Sequence, residues 1–418
     1  MPAKKFLSGA IFYLTTWLVN KCDFRIILIN QGCYEIPRTL TAQNSKFPEP
    51  SFPELWQLIE NFVEDIPPLQ SRGKRPLQMT FEHQLKSLIL FHLEEYDSAR
   101  HLLQVLEQDD FARSFIAPPE GISRSSYGEV LNTRGLEQLL FVYEKLQAQA
   151  TSTLPDDHPQ LGDLVAIDGT LIDAVCSMGW ADYSSTNKKA KIHLGFAVNR
   201  GIPGKVSLTD GKADEGPLVP QLLSPGQTGI MDRNYQCYRH FDLWQKQKLK
   251  FVCRIKASTI KTCLETYPVP EGGPVFHDAL MRLGAPRANQ TQLPVRVVGY
   301  WVDDKKYWVA TNRFDLSAPD IALIYKLRWE IEKFFGWWKQ HLNVYPLIAR
   351  SAYGFMVQVL GGLITYLLLA IFCHKFFQER VSIKRVRELR INMQKDPRIR
   401  DHFPPELWQQ KNYAYAKT

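Results

Sequence analysis

No Cys-x-x-Cys pair occurs in the 418 residues, and the ten histidines show neither His-x3-His nor His-Glu-x-x-His spacing, which excludes the usual zinc frameworks. The seven cysteines (Cys22, Cys33, Cys176, Cys237, Cys253, Cys263, Cys373) are scattered and odd in number. They read as buried thiols in a reducing, cytoplasmic compartment rather than as a disulfide framework. Internal repeats and low-complexity tracts are also missing, which excludes solenoids and disordered arrays. Charge is not extreme: 51 Lys and Arg against 43 Asp and Glu give +8, which suits a polyanionic partner without requiring one.

Long apolar runs are few. Phe6 to Val19, behind Lys4 and Lys5, has the length of a signal segment, but no small-x-small cleavage site follows it. Phe355 to Phe372 is nearly long enough to span a bilayer, yet it holds Gln358, Gly361, Gly362, Thr365 and Tyr366. It reads as a buried core helix, and no stable membrane association is expected.

What is present divides the chain. Residues 1–54 read as a leader and a loop broken by Pro37, Pro48, Pro50 and Pro53, a possible upstream extension. From 55 to 149 helical periodicity dominates, with apolar stripes such as Leu85, Leu88, Ile89 and Phe91, then Leu102, Leu103, Val105 and Leu106. Ser123 is a candidate N-cap for a helix that would project Arg124, Ser125 and Arg134, either as a groove-reading helix or as an ordinary capped one. Residues 150–159 are a linker by composition.

After the linker, β-type runs take over: Asp163 to Asp168, Lys191 to Val198 and Lys205 to Leu208, the last two joined as a hairpin. A short strand then leads into Asp232, and Leu249 to Ile255 is another strand. Pro294 to Val302 and Tyr307 to Ala310 fall in a β-rich insertion over 257–318. A long helix follows, near 319–342. The fold class is α/β.

Projected at 100° per residue from Tyr325, that helix places Arg328 at 300°, Lys339 at 320° and Glu332 at 340° by the rule for a regular α-helix. One stripe thus carries an acid, two bases and a phenol. Ile324, Leu327, Ile331, Phe334, Phe335 and Trp338 form the apolar face beside it, and Gly336 leaves space on the stripe. Alone, such a stripe equally suits a solvated face with an Arg328 to Glu332 pair. A carboxylate at this rim gains meaning if it faces others, and Asp168 and Asp232 each end a strand, where ligand sites of α/β sheets form. Three converging carboxylates require cations to stay ionised, and oxygen-only donors suit Mg²⁺ or Mn²⁺. Two such ions can activate an attacking oxygen and stabilise a leaving one in phosphodiester displacement. Arg328 and Lys339 would hold phosphates.

The spacing Tyr325-x2-Arg328-x3-Glu332-x6-Lys339 resembles the signature of the DDE transposases of bacterial insertion sequences, in the cut-and-paste branch with a β-rich insertion. The segments Ile167-Asp-Gly-Thr170, Lys191-Ile-His-Leu-Gly195 and Met231-Asp-Arg-Asn-Tyr235 look like that family's other blocks, so the resemblance covers roughly residues 160–375. It implies a ribonuclease H-like mixed sheet with flanking helices, preceded by the helical DNA-binding domain. Asp168, Asp232 and Glu332 would bind two Mg²⁺. Water would release a 3′-hydroxyl at the element's end. That hydroxyl would form and leave a hairpin, then attack target DNA. Tyr325, Arg328 and Lys339 would position terminal phosphates, and Arg233 and Arg124 would be further DNA contacts. Trp301 or Trp308 would stack on a flipped base, or pack within a strand. Partners implied are the terminal inverted repeats, target DNA and a second copy when two ends are paired.

Asn234 departs from the glycine common after the second acid. Between 375 and 400 stand nine Lys or Arg, in a basic helical tail over 376–418, either a DNA-binding run or a solvated helix face. The alternative function is a catalytically inactive, transposase-derived DNA-binding protein, which retention of all three acids disfavours.

Overall fold

A computed structural model describes residues 51–69, 77–94, 96–175, 177–184 and 187–394. The Phe6 to Val19 segment, Pro37, Pro48, Pro50 and the tail beyond 394 lie outside the described residues.

Side-chain oxygens of Thr80, Ser98 and Ser123 each accept a backbone N–H from the turn that follows, and each opens a helix. In order, the helical region holds α1 (Phe52–Glu60), α2 (Phe81–Leu93), α3 (Ala99–Gln108), α4 (Arg124–Thr133) and α5 (Leu136–Thr153). Two expectations are corrected here. Pro53 opens α1 at its first turn, where its missing N–H costs nothing, instead of breaking structure. The stretch 150–153, expected as linker, completes the last turn of α5, with Ala150 fully buried.

The sheet follows: β1 (Leu164–Ala174), β2 (Lys188–Ala197), β3 (Ile202–Asp210), the one-turn α6 (Val219–Leu222), β4 (Thr228–Met231), α7 (Tyr238–Lys246) and β5 (Lys250–Arg254). Next come β6 (Lys261–Thr266), β7 (Val275–Ala285), β8 (Asn289–Gln290), β9 (Val295–Val302) and β10 (Lys305–Thr311). Its order is β3-β2-β1-β4-β5-β10-β9-β7-β6, with β8 paired to β7. The first three strands are antiparallel, while β1, β4 and β5 run parallel. The β-rich insertion extends this sheet, because β10 pairs antiparallel with β5, matching Ala310 to Cys253.

Period-two alternation gives the sheet two apolar faces. Val165, Ile167, Met231, Phe251 and Cys253 point into one core with Phe241 and Trp244 of α7. Ala166, Ile192, Leu194, Ile230 and Val252 point into the other, which is continuous with the core of α1 to α5. The opening helices therefore share their hydrophobic core with the sheet.

The chain then forms α8 (Ala318–Leu327), α9 (Trp329–His341), α10 (Ala352–Phe377) and α11 (Ile383–Gln394). The long helix expected over 319–342 is two helices. At the junction Arg328 N–H reaches Tyr325 O at 3.2 Å and Ile331 N–H reaches Arg328 O at 3.2 Å, so i to i+3 bonds tighten the backbone.

Helix α10 is long and apolar enough to cross a membrane, but 89% of its most apolar window is buried within the protein. It packs on α2, α4 and α5, as a core helix. Gly361 and Gly362 make the close approach possible: a Cβ at Gly362 would lie 3.1 Å from Trp338 Nε1 and 3.2 Å from the His92 ring. His92, buried on α2, places Nδ1 at 2.6 Å from Leu342 O and Nε2 at 3.0 Å from Gln358 O.

Candidate active site

Asp168 lies within β1 rather than at its end, which corrects the sequence expectation. The register explains why it is accessible all the same. β1 pairs with β2 as far as Ala174, but with β4 only as far as Ala166. Asp168 therefore sits where β1 has lost its parallel neighbour. β4 stops at Met231, and Asp232 caps the 3₁₀ turn Arg233–Tyr235, its carboxylate accepting Asn234 N–H at 2.8 Å. Asn234, in the position expected for glycine, thus supplies the capped amide.

The helical pair brings the third acid. Arg328, at the junction of α8 and α9, donates to Glu332 one turn on, and its Nη1 is 3.8 Å from Asp168 Oδ2. One guanidinium therefore stands between two of the three acids. Burial pulls the Arg328 pKa down, but Glu332, Tyr325 and Asp168 outweigh it and hold the group charged. Burial pushes the Asp168 carboxyl up to about 6; Gly169 N–H and Arg328 oppose that shift, and the negative Glu215 and Asp232 add to it.

Lys339, two turns beyond Glu332, donates to Leu171 O of β1 at 3.2 Å, so α9 is tied across the strand that carries Asp168. Burial lowers the Lys339 pKa. Tyr325 is 6% exposed, its ring 5.9 Å from the Arg328 guanidinium; burial raises its pKa and Arg328 pulls it back. Gly336 is exposed, with nothing within 4 Å of where a Cβ would stand. The expected stripe is thus present in spite of the helix break, because a tightened turn shifts the phase only slightly.

The other expected residues make no hydrogen bond or ion pair with Arg328, Glu332 or Asp168 among the described residues. Arg233 is exposed immediately after Asp232. Arg124 is exposed on the first turn of α4, where Ser123 accepts Ser126 N–H as the cap. Arg134 lies against Glu129. Trp301 is 41% exposed on the β9–β10 hairpin, 5.4 Å from the Phe276 ring and 4.9 Å from Lys306 Nζ. Trp308 packs between Phe276 and His277. Much of the basic run is engaged internally: Arg385 with Glu379 and Glu388, Arg380 with Asp157, and Arg390 with Leu93 O.

Sequence reasoning missed two groups. Glu215 stands beside Asp168 and accepts the Tyr235 hydroxyl proton at 2.5 Å. Arg254, ending β5, lies 4.3 Å from the centre of the Tyr307 ring and close enough to Tyr325 to lower its pKa. Glu215 sits in a loop without periodicity, so no local pattern in the sequence marks it.

Among the described residues no three His, Cys, Asp or Glu side chains are gathered closely enough to hold a metal ion as they stand. The donor set nonetheless fits a hard cation. It is all oxygen, and burial, the largest cause of the raised Asp168 pKa, disfavours a bare carboxylate there, while Glu215 and Asp232 add smaller raises.

The family model described as "Transposase DDE domain" matches residues 159–368. The chain is 30% identical over 193 residues to the "Probable transposase for insertion sequence element IS5377" of Geobacillus stearothermophilus, across 46% of this chain and 51% of that protein. It is 26% identical over 211 residues to y4zB of Sinorhizobium fredii, which carries a transposase name, across 49% and 59%. The chain therefore spans between half and three-fifths of the length of these relatives.

Proposed function

We propose, from the premise that this chain belongs to the transposase DDE domain family, that it cuts DNA at the ends of an insertion sequence and joins them to target DNA. The observation that carries the reading is Arg328 held between Asp168 and Glu332, with Asp232 capping the turn that follows the neighbouring strand. Such a set is balanced for exchange: an incoming phosphate competes for the guanidinium, and a cation competes for the carboxylates.

Asp168, Asp232 and Glu332 would hold two divalent ions, Mg²⁺ or Mn²⁺. When bound, these supply Lewis-acid activation of the attacking and leaving oxygens of a phosphodiester. Arg328, released from Glu332, would grip a terminal phosphate in bidentate fashion, with Lys339 as a point charge and Tyr325 fixing the guanidinium plane. Lys339, partly buried and with a lowered pKa, gains most from such a partner. Arg233 would extend the phosphate track past Asp232, and the exposed Trp301 offers a face for base stacking. Arg124 on α4 would contact the terminal repeat. Pairing two ends would require two copies, acting in the cytoplasm.

The test is cleavage of a labelled duplex that carries the element's end and its flanking DNA, with Mg²⁺ and with EDTA. Metal-dependent cutting is expected from the native chain. For Asp168→Asn a fall of about 10²–10³-fold or more is expected, the scale of losing one preorganised electrostatic element. Absence of cutting by both, with binding intact, would overturn the enzyme in favour of an inactive DNA-binding copy.

A further inference from the structure

Glu215 is not in the motif that marks the three acids, yet its carboxylate contacts residues next to two of them. It precedes the 3₁₀ turn Gly216–Leu218 that leads into α6. Its Oε1 is 3.2 Å from Lys191 Nζ of β2, and Lys191 also donates to Ala213 O at 3.0 Å, which fixes the loop on the strand. Its Oε2 accepts the Tyr235 hydroxyl at 2.5 Å. Tyr235 is 3% exposed and closes the turn that Asp232 caps.

The third contact is with β1 itself. A Cβ on Gly169 would lie 2.8 Å from Glu215 Oε1, so the carboxylate rests on the backbone next to Asp168 and a side chain there would displace it. Each Glu215 oxygen already has a polar partner, a phenol or an ammonium. That arrangement suits a brace better than a direct metal ligand, since outer partners orient the carboxylates that bind the ion.

We propose that Glu215 is a positioning residue: with Tyr235 and Lys191 it locks the Asp232 turn against the Asp168 strand and so sets the affinity of that pair for a divalent cation. The inference rests on reading Asp168 and Asp232 as metal-binding carboxylates. Removing the brace frees the Asp232 turn to move away from β1, and the two carboxylates then lose their fixed separation.

The experiment uses the full chain without DNA and measures Mn²⁺ binding by titration calorimetry for the native protein, Glu215→Ala, Glu215→Gln, Tyr235→Phe and Asp168→Asn. The expected result is Mn²⁺ affinity weakened about 10- to 100-fold in Glu215→Ala, the usual scale for an outer partner of a ligand. Glu215→Gln, which keeps an acceptor for the Tyr235 hydroxyl, should recover part of it, and Tyr235→Phe should lose affinity in the same direction. Native affinity in both Glu215→Ala and Tyr235→Phe, with Asp168→Asn impaired, would overturn the brace and leave the metal reading intact. If Glu215→Ala fails to fold, Tyr235→Phe decides. No Mn²⁺ binding by the native chain would overturn both the brace and the premise.

Discussion

Helix α9 meets an ionisable group at each end, His92 fully buried and Asp168 partly exposed. At its C-terminal end His92 faces Leu342 O and Gln358 O, and at its N-terminal end Asp168 faces Arg328. Burial displaces both toward neutrality: it lowers His92 to about 4 against the pull of the two carbonyls, and raises Asp168 to about 6. What differs is the company. His92 has only backbone dipoles and the apolar packing of α2, α9 and α10, whereas Asp168 has Arg328, Glu215 and Asp232 within electrostatic reach. Burial is thus common to both ends, and among the described residues charged side chains stand beside Asp168 but not beside His92.

The largest effect is expected from packing at the His92 end. Trp338 is fully buried between the His92 core and the rest of α9. Trp338→Ala should cost about 3–5 kcal/mol of unfolding free energy, measured by urea titration. A loss under about 1 kcal/mol, the level of an ordinary surface change, would mean the helices do not pack as described.

Acidity separates the two ends next. For Asp168 the native pKa exceeds the ordinary 3.8, so the folded state binds more protons between about 4 and 6, and its ionisation destabilises the metal-free protein as pH rises through that window. For His92 the native pKa lies below the ordinary 6.5, so the unfolded state binds more protons, and stability falls as pH drops from about 6.5 to 4. Each contribution is on the order of 2–3 kcal/mol. Urea titrations of metal-free native protein and Asp168→Asn should therefore diverge as pH rises from 4 to 7, with the variant gaining. Parallel curves would show that burial does not tax Asp168.

The smallest effect sharpens the contrast. Arg124 is exposed on α4, so Arg124→Ala should change stability by less than about 0.5 kcal/mol. Its binding to a terminal-repeat duplex should weaken, with a shallower salt dependence measured by fluorescence anisotropy. Unchanged binding would remove Arg124 from the interface.

Much of this was legible in the chain itself. The stripe of Tyr325, Arg328, Glu332 and Lys339 was readable because helical periodicity spaces chemistry-bearing residues regularly. The strands around Asp168 and Asp232 showed as apolar runs. The break at Arg328 was not readable, since neither glycine nor proline marks it. β6 escaped notice because Thr262, Cys263, Leu264, Glu265 and Thr266 are all exposed, leaving no alternation to detect. Pro53 and the last turn of α5 were misjudged for a related reason: turn-type composition says where a helix can end, while packing decides whether it does. Glu215 belongs to tertiary contact alone, since its partners Lys191 and Tyr235 are 24 and 20 positions away.

The joining of β10 to β5 has a mechanical consequence. An arm hydrogen-bonded strand by strand into the sheet that bears Asp168 and Asp232 cannot swing on a linker; it behaves as a stiff bracket. The Trp301 hairpin is then carried at a set reach from those acids, like a gauge with fixed jaws. On the proposed function, a duplex held at those acids would meet the hairpin at that reach, and deformable steps would be favoured by their pliancy.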